Sequence, residues 1–223
     1  NFGPSDDFLK KVRALATDRG AVLIFDECTS GFRESFGGIH KLYDVDPDIA
    51  MFGKAMGNGY AITATIGRRE VMEAAQSSFI SSTFWTERIG PTAALKTLQV
   101  MERDRSWEKI TDTGGSMKTQ WQVLADKYNL KIKHVGINAL AGFSFDLADT
   151  LKYKTLITQE MLSSGYLAGT NFYACTQHTA EHIETYFHYL DPVFKTIAEC
   201  EAGRDINKVL RGSVSHAGFK RLN

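Results

Sequence analysis

The sequence lacks the features that mark several specialised classes of protein. It has three cysteines, Cys28, Cys175 and Cys200, an odd number without CxxC spacing. This pattern favours neither a disulfide scaffold nor a zinc site, and it predicts a cytoplasmic location, where thiols stay reduced. No apolar run reaches the roughly 18 residues that a membrane-spanning helix needs. The 26 basic and 26 acidic residues balance without forming blocks, which argues against nucleic acid and membrane surfaces as partners.

The first residues, "NFGPSDDFLKKV", lack a methionine, a basic leader region and an apolar leader region. They therefore do not predict a signal peptide. We expect residue 1 to lie inside a longer chain. The 223 residues allow one sizeable domain or two smaller ones.

The first half of the sequence has an α/β pattern. Ser5 is the expected N-cap of a helix that ends at Gly20. The apolar runs at 21–25 and 48–52 predict strands buried on both faces, as in a parallel sheet, and 61–67 predicts a third strand. We therefore predict part of an α/β domain with a mainly parallel sheet.

The pattern changes in the second half, where strands alternate as in an antiparallel sheet. A helical pattern from residue 90 to about residue 128 is predicted to break near Gly114 and Gly115. The elements predicted after it are strands at 131–137, 140–147 and 171–176, and helices at 154–165 and, capped by Thr179, at 179–203. We place a boundary near residue 105, between a partial large domain at 1–105 and a smaller α+β domain at 106–223.

Two groups able to do chemistry follow the two predicted buried strands. Asp26 directly follows the strand predicted at 21–25, and Lys54 follows the strand predicted at 48–52. Lys54 is the one charged residue between Asp48 and Arg68. In open parallel sheets, ligands bind just outside the carboxyl ends of the strands. Pyridoxal phosphate needs a lysine for a Schiff base and an acid beside its pyridine nitrogen. The pair therefore suggests a pyridoxal phosphate site.

A longer stretch carries a resemblance to a known family. Residues 23–74, "LIFDECTSGFRESFGGIHKLYDVDPDIAMFGKAMGNGYAITATIGRREVMEA", contain an Asp-Glu pair, Gly-Phe-Arg, Gly-Gly, Pro-Asp and Gly-Lys in that order. This ordered set resembles the core of the class III aminotransferases, and within them the glutamate-1-semialdehyde aminotransferase group. The resemblance continues through residues 81–95 and more thinly beyond them. It implies a fold type I pyridoxal-phosphate-dependent transferase.

The resemblance also implies a role for each matching residue. Lys54 would form the Schiff base and move the proton during transfer, and Asp26 would pair with the pyridinium nitrogen. Thr83 would reach the cofactor phosphate of a neighbouring subunit, so the active site would lie at the interface of a homodimer. Glu27 would orient the loop. Small-molecule amino donors and carbonyl acceptors would be the partners.

The sequence departs from the family pattern in three places. Cys28 stands where relatives usually have the valine that packs beneath the cofactor ring, and the sizes are similar. The segment "FWTERIG" separates Thr83 from Pro91, where many relatives have a short turn. The family's N-terminal half, which carries its phosphate-binding cup, has no counterpart in this sequence.

Plainer interpretations remain for each residue taken alone. Lys54 could be a surface lysine, Asp26 and Thr83 could cap local turns, and His178 is expected to make a structural hydrogen bond. Arg33 is equally compatible with binding a substrate carboxylate and with holding its own loop. An aminomutase, a racemase or a non-catalytic fragment without the N-terminal half are the alternatives to an aminotransferase.

Overall fold

The computed structural model describes residues 4–5, 7–84, 86–216 and 218. The chain divides into two compact units, the first ending at Thr111 and the second beginning at Asp112. The helices are α1 (Phe8–Asp18), α2 (Arg69–Met72), α3 (Ile89–Asp104), α4 (Ser106–Lys127), α5 (Thr150–Ser163) and α6 (Ala180–Glu201). The strands are β1 (Ile24–Asp26), β2 (Ile49–Phe52), β3 (Ala64–Gly67), β4 (Ile132–Val135), β5 (Leu140–Phe145) and β6 (Asn171–Tyr173).

The first unit contains a three-stranded sheet in the order β1-β2-β3. Strand β1 pairs with β2 in parallel, whereas β3 runs antiparallel to β2. The prediction of a mainly parallel sheet therefore holds for one of the two pairings. The direction of β3 follows from the connection, because a short link such as residues 53–63 suits an antiparallel return better than a parallel crossover.

The expected burial of β1 on both faces is wrong for the described residues. Ile24 is 52% exposed and Val22, just before the strand, is 50% exposed. The reason is that one face of the sheet is left uncovered by the described residues, since Met51, the partner of Asp26 in β2, is 38% exposed as well. Strand β2 buries Ala50 and Phe52 on the opposite face, so the expected burial on both faces is wrong for this strand too.

Two predicted helix features are also corrected. Asp7, not Ser5, occupies the N-cap position of α1, and it makes no capping hydrogen bond through its side chain. The long helical pattern breaks at Arg105, which has a left-handed backbone and separates α3 from α4. Helix α4 runs without interruption through Gly114 and Gly115.

Gly114 is retained in α4 for a packing reason. A methyl group on its Cα would stand 1.7 Å from the backbone oxygen of Asn138, so only glycine permits this approach. The same group on Gly115 would stand 3.5 Å from the nearest atom, the side-chain nitrogen of Asn138. The glycine pair therefore marks close packing of a helix on a loop and not a helix end.

The second unit has the predicted antiparallel sheet, in the order β4-β5-β6, with helices around it. Thr179 caps α6 in a reciprocal arrangement with His182, which confirms the predicted N-cap. The apolar core draws on α4, α5, α6 and β5, and several of its side chains have no solvent exposure, among them Trp121, Leu156, Ile157, Leu190 and Phe194. Within this core, Trp121 Nε1 donates to the Tyr186 hydroxyl at 3.1 Å.

None of the described helices is long and apolar enough to cross a membrane.

Candidate active site

The parallel pairing of β1 with β2 places Asp26 and Lys54 at the carboxyl ends of these two strands. Asp26 ends β1 opposite Met51, and the amide of Glu27 donates to the Met51 oxygen at 2.8 Å. Strand β2 ends at Phe52, and Lys54 follows after Gly53. The two residues therefore follow the same ends of neighbouring strands, which is where ligands of open sheets bind.

Asp26 is held in its ionised form by the turn that follows it. Its Oδ1 accepts a hydrogen bond from the backbone N–H of Cys28 at 3.0 Å. This bond, together with the Cys28 thiol and the nearby charge of Lys54, lowers the pKa of Asp26. The same contact with Asp26 raises the pKa of the Cys28 thiol. The exposed carboxylate is thus a ready acceptor for a protonated ring nitrogen.

Cys28 lies against the backbone that carries the lysine. A methyl group on Gly53 would stand 3.6 Å from Cys28 Sγ and 3.4 Å from Thr63 Cγ2, so both side chains pack against the backbone of Gly53. The Cys28 side chain fills space beside Gly53, which agrees with a packing role of the kind a valine would play.

Lys54 has an unusual backbone conformation. Its φ of 42° lies in the left-handed region, which non-glycine residues seldom occupy. A tight turn holds it there, since the Lys54 oxygen accepts from the amides of Gly57 at 3.2 Å and Asn58 at 3.0 Å. Backbone strain of this kind persists where the surrounding structure fixes it, often at functional sites. The side chain itself is exposed.

Thr29 contacts Lys54 directly and was not among the residues predicted from the sequence. Lys54 Nζ donates to Thr29 Oγ1 at 2.5 Å. A signal was available, because Thr29 is a hydroxyl residue in the loop that begins at Asp26. Sequence alone could not show that this hydroxyl faces the lysine and not solvent.

Glu27 orients the same loop from a buried position, as the resemblance implied. It is 3% exposed. Its Oε1 accepts from the backbone amide of His40 at 3.0 Å and lies 2.9 Å from His40 Nδ1, and its Oε2 accepts from the Ser30 hydroxyl. A buried carboxylate with this many partners is fully engaged in structure.

A second buried acid, Asp48, ties the start of β2 to its surroundings. It accepts from the backbone of Leu23 at 2.8 Å, from Arg13 at 2.8 Å and from Arg68 at 3.0 Å. The backbone bond from Leu23, followed by the bonds from the two arginines, lowers the pKa of Asp48 to about 2. Since Leu23 immediately precedes β1, Asp48 helps to align the two strands whose ends carry the site.

Three other residues singled out in the sequence lie apart from this cluster or have structural contacts. Thr83 is exposed in a turn, and among the described residues it makes no hydrogen bond with Asp26, Cys28 or Lys54. Arg33 Nε donates to the Thr29 oxygen at 3.0 Å, which favours the loop-holding interpretation. His178 Nδ1 accepts from the amide of Cys175 at 3.1 Å, a structural hydrogen bond as expected.

The donor set at the strand ends suits a cofactor with an aldehyde and a ring nitrogen, because it offers a primary amine, an ionised carboxylate and a hydroxyl. Among the described residues, no group of three or more His, Cys, Asp or Glu side chains could hold a metal ion. A cavity of about 1030 Å³ in the first unit is lined by residues that include Arg13, Asp48 and Arg68, but not by Asp26 or Lys54. We therefore place the candidate site at the strand ends on the chemistry of its side chains and not on cavity size.

Comparisons with known proteins identify the family of the chain. Residues 2–189 match the family model "Aminotransferase class-III". The chain is 35% identical over 189 residues to the 3-aminobutyryl-CoA aminotransferase of Cloacimonas acidaminovorans, covering 81% of this chain and 45% of the relative. It is 32% identical over 200 residues to glutamate-1-semialdehyde 2,1-aminomutase 2 of Lachnoclostridium phytofermentans, covering 81% and 47%.

Solved structures show the same fold at lower identity. The PLP internal aldimine form of the FumI protein of Sphingopyxis sp. MTA144 superposes with a TM-score of 0.81 at 21% identity, over 92% of this chain and 50% of that one. An omega-transaminase of Sphaerobacter thermophilus gives a TM-score of 0.75 at 19% identity, over 87% and 48%. The chain spans about half the length of the curated relatives it matches. By sequence and by fold, the chain belongs to the class III aminotransferases.

Proposed function

We propose that the protein is a pyridoxal-phosphate-dependent aminotransferase that moves an amino group between an amino donor and an aldehyde or ketone. The observation that carries this proposal is that Lys54 and the ionised Asp26 stand at the same ends of two neighbouring parallel strands, where the charge of Lys54 helps to lower the pKa of Asp26. Membership of the class III aminotransferases supports the same reaction.

Each residue has a defined task in this proposal. Lys54 would hold the cofactor through its amine and would carry a proton to and from the substrate α-carbon. Asp26 would bind the ring nitrogen and keep it protonated. Cys28 packs beside them and donates to Asp26. When bound, pyridoxal phosphate supplies an electron sink that stabilises negative charge at the substrate α-carbon.

The finer parts of the proposal concern assembly and location. We propose a cytoplasmic homodimer in which Thr83 reaches the cofactor phosphate of the neighbouring subunit. The exposed turn at Thr83 supports this, because it is flanked by the exposed apolar side chains of Phe79 and Phe84, which a subunit contact would cover. The partial large domain would be residues 1–105 and the smaller domain residues 106–223.

A closely related reaction is the second candidate. The similarity to a glutamate-1-semialdehyde aminomutase favours a transfer within one substrate, using the same Lys54 and Asp26. A racemase would also use these two residues. A non-catalytic role is the remaining alternative, since the chain spans about half of its relatives.

Borohydride trapping tests the proposal. The protein, as its complete reading frame encodes it, is incubated with pyridoxal phosphate, reduced and digested, and the cofactor mass is located on a peptide. We expect the label on Lys54, and we expect Lys54→Ala to lose it together with activity by on the order of 10³-fold or more.

Lys41→Ala is the matched control, because it removes another exposed lysine of the first unit. This variant should keep both the label and the activity. An unlabelled wild-type protein would refute the aminotransferase proposal. A labelled protein that interconverts amino groups within one substrate but accepts no separate donor would be an aminomutase.

A further inference from the structure

Lys54 has a hydroxyl partner that is independent of the acid beside it. Nζ donates to Thr29 Oγ1 at 2.5 Å, whereas Asp26 accepts from Cys28. Two consecutive residues of one turn therefore contact the two groups separately. Cys28 contacts the acid through its backbone N–H, and Thr29 contacts the amine through its side-chain hydroxyl.

The position of Thr29 is fixed by its own loop. Its backbone oxygen accepts from Arg33 Nε at 3.0 Å, and the amide of Gly31 donates to the Glu27 oxygen at 2.8 Å. Glu27 in turn is buried and bonded to Ser30 and His40. Because threonine is branched at Cβ, its χ1 angle is also restricted. The hydroxyl is thus presented from a rigid support.

Lys54 needs such a partner because only its backbone is rigid. The turn from Gly53 to Asn58 fixes the backbone in the left-handed region. The four-carbon side chain that follows is flexible and exposed. A hydrogen bond at its end is what selects one position for the nitrogen.

We propose that Thr29 is a positioning residue for the Lys54 amine, which its hydroxyl holds by accepting the hydrogen bond from Nζ. This proposal rests on the proposed function of Lys54 and adds to it the residue that prepares the nitrogen for the cofactor aldehyde. Thr29 acts through Lys54 and has no assigned contact with substrate.

The test compares two reactions of the Lys54 amine in Thr29 variants of the complete protein. The first is acetylation of the cofactor-free protein by a small acylating reagent, measured by peptide mass relative to Lys10 and Lys41. The second is the rate at which pyridoxal phosphate becomes reducibly attached to Lys54. An undirected reagent attacks faster when the amine is released, whereas attachment of a bound cofactor is slower when the amine is no longer positioned.

We expect Thr29→Val to raise the relative acetylation of Lys54 about threefold to tenfold and to slow cofactor attachment by a similar factor, as loss of one exposed charge-assisted hydrogen bond predicts. Thr29→Ser keeps the hydroxyl and should restore both rates to within about twofold of wild type. A role limited to loop structure would not give opposite changes in the two rates or rescue by serine.

Thr63→Val is the matched control, since Thr63 lies near Gly53 but makes no hydrogen bond to Lys54 among the described residues. It should change neither rate. Thr29→Ala provides a second variant without the hydroxyl, should the valine variant fail to fold. Unchanged acetylation of Lys54 in the hydroxyl-free variants would overturn the proposal.

The two proposals fail in different ways. If wild-type protein captures no cofactor at Lys54, the proposed function falls, and the acetylation ratio alone decides whether Thr29 holds the amine. If wild type captures the cofactor and Thr29→Val does so at the same rate, the proposed function stands and the positioning role is refuted.

Discussion

The two units of the chain are stabilised in different ways. In the second unit, a continuous apolar core includes side chains with no solvent exposure, such as Trp121 and Phe194. In the first unit, the apolar cluster of the described residues consists of Ala50, Phe52, Met56 and Ala94 with a few partly buried neighbours. The buried polar side chains of the described residues, in contrast, all lie in the first unit: Glu27, Ser35, His40 and Asp48.

The difference between apolar and polar stabilisation matters for the candidate site, which lies in the first unit. Apolar packing depends on volume and tolerates small shifts in direction, whereas hydrogen bonds fix the orientation of the groups that they join. The loop after β1 and the start of β2 are both held by buried carboxylates, Glu27 and Asp48. The unit that carries the candidate site is therefore the one whose geometry is fixed by directional contacts.

The largest expected effect is in the apolar core of the second unit. Phe194→Ala removes a side chain with no solvent exposure that packs against Phe143 and Phe145, and should lower the free energy of unfolding by about 4 kcal/mol. Urea unfolding followed by tryptophan fluorescence measures this change. Leu167→Ala, at a residue that is 97% exposed, is the control and should change stability by less than about 0.5 kcal/mol. Equal effects of the two variants would contradict the description of this core.

Substitutions at the glycine pair in α4 test how closely this helix packs against Asn138 in the second unit. Gly114→Ala places a methyl group into the Asn138 backbone and should destabilise the protein by about 2 kcal/mol or more. Gly115→Ala has room for the methyl group and should stabilise the protein by roughly 0.5–1 kcal/mol, because alanine favours the helix. Thermal unfolding distinguishes the two signs, and a stabilising Gly114→Ala would disprove the close approach.

The polar contacts of the first unit predict a dependence on pH. The pKa of Asp48 falls from 3.8 to about 2 on folding, so its contribution is present above pH 3.8 and is lost as the pH falls towards 2. Asp48→Asn should cost about 2 kcal/mol at pH 7, and the difference from wild type should shrink between pH 3.8 and pH 2. Denaturant midpoints measured across this range provide the check.

Asp46→Asn is the matched control for Asp48, because Asp46 is exposed two residues earlier in the chain. It should have little effect at any of these pH values. If Asp48→Asn shows a constant difference from wild type down to the acid end of this range, the ionised carboxylate is not the stabilising group.

Sequence patterns predicted most of the elements because their signals are local. The cap at Thr179, the alternation in β4 and β5 and the apolar run of β2 each depend on residues close together in the chain. The ordered motifs around Asp26 and Lys54 likewise indicated the family, and the family match over residues 2–189 confirms it. These signals were sufficient for the α/β fold.

Several features that the sequence did not reveal depend on distant contacts. The exposure of β1 depends on which face of the sheet is covered, and Gly114 resembles a helix breaker until Asn138 is placed beside it. The roles of Thr29 and Asp48 depend on partners 25 and 35 residues away in the chain. No local pattern specifies such partners.

The left-handed backbone at Lys54 has a consequence for how this chain would change under mutation. A glycine there would adopt φ 42° without steric cost, and would also abolish the amine. The backbone at position 54 therefore suits glycine better than lysine, and its conformation gives no reason for a lysine to stand there.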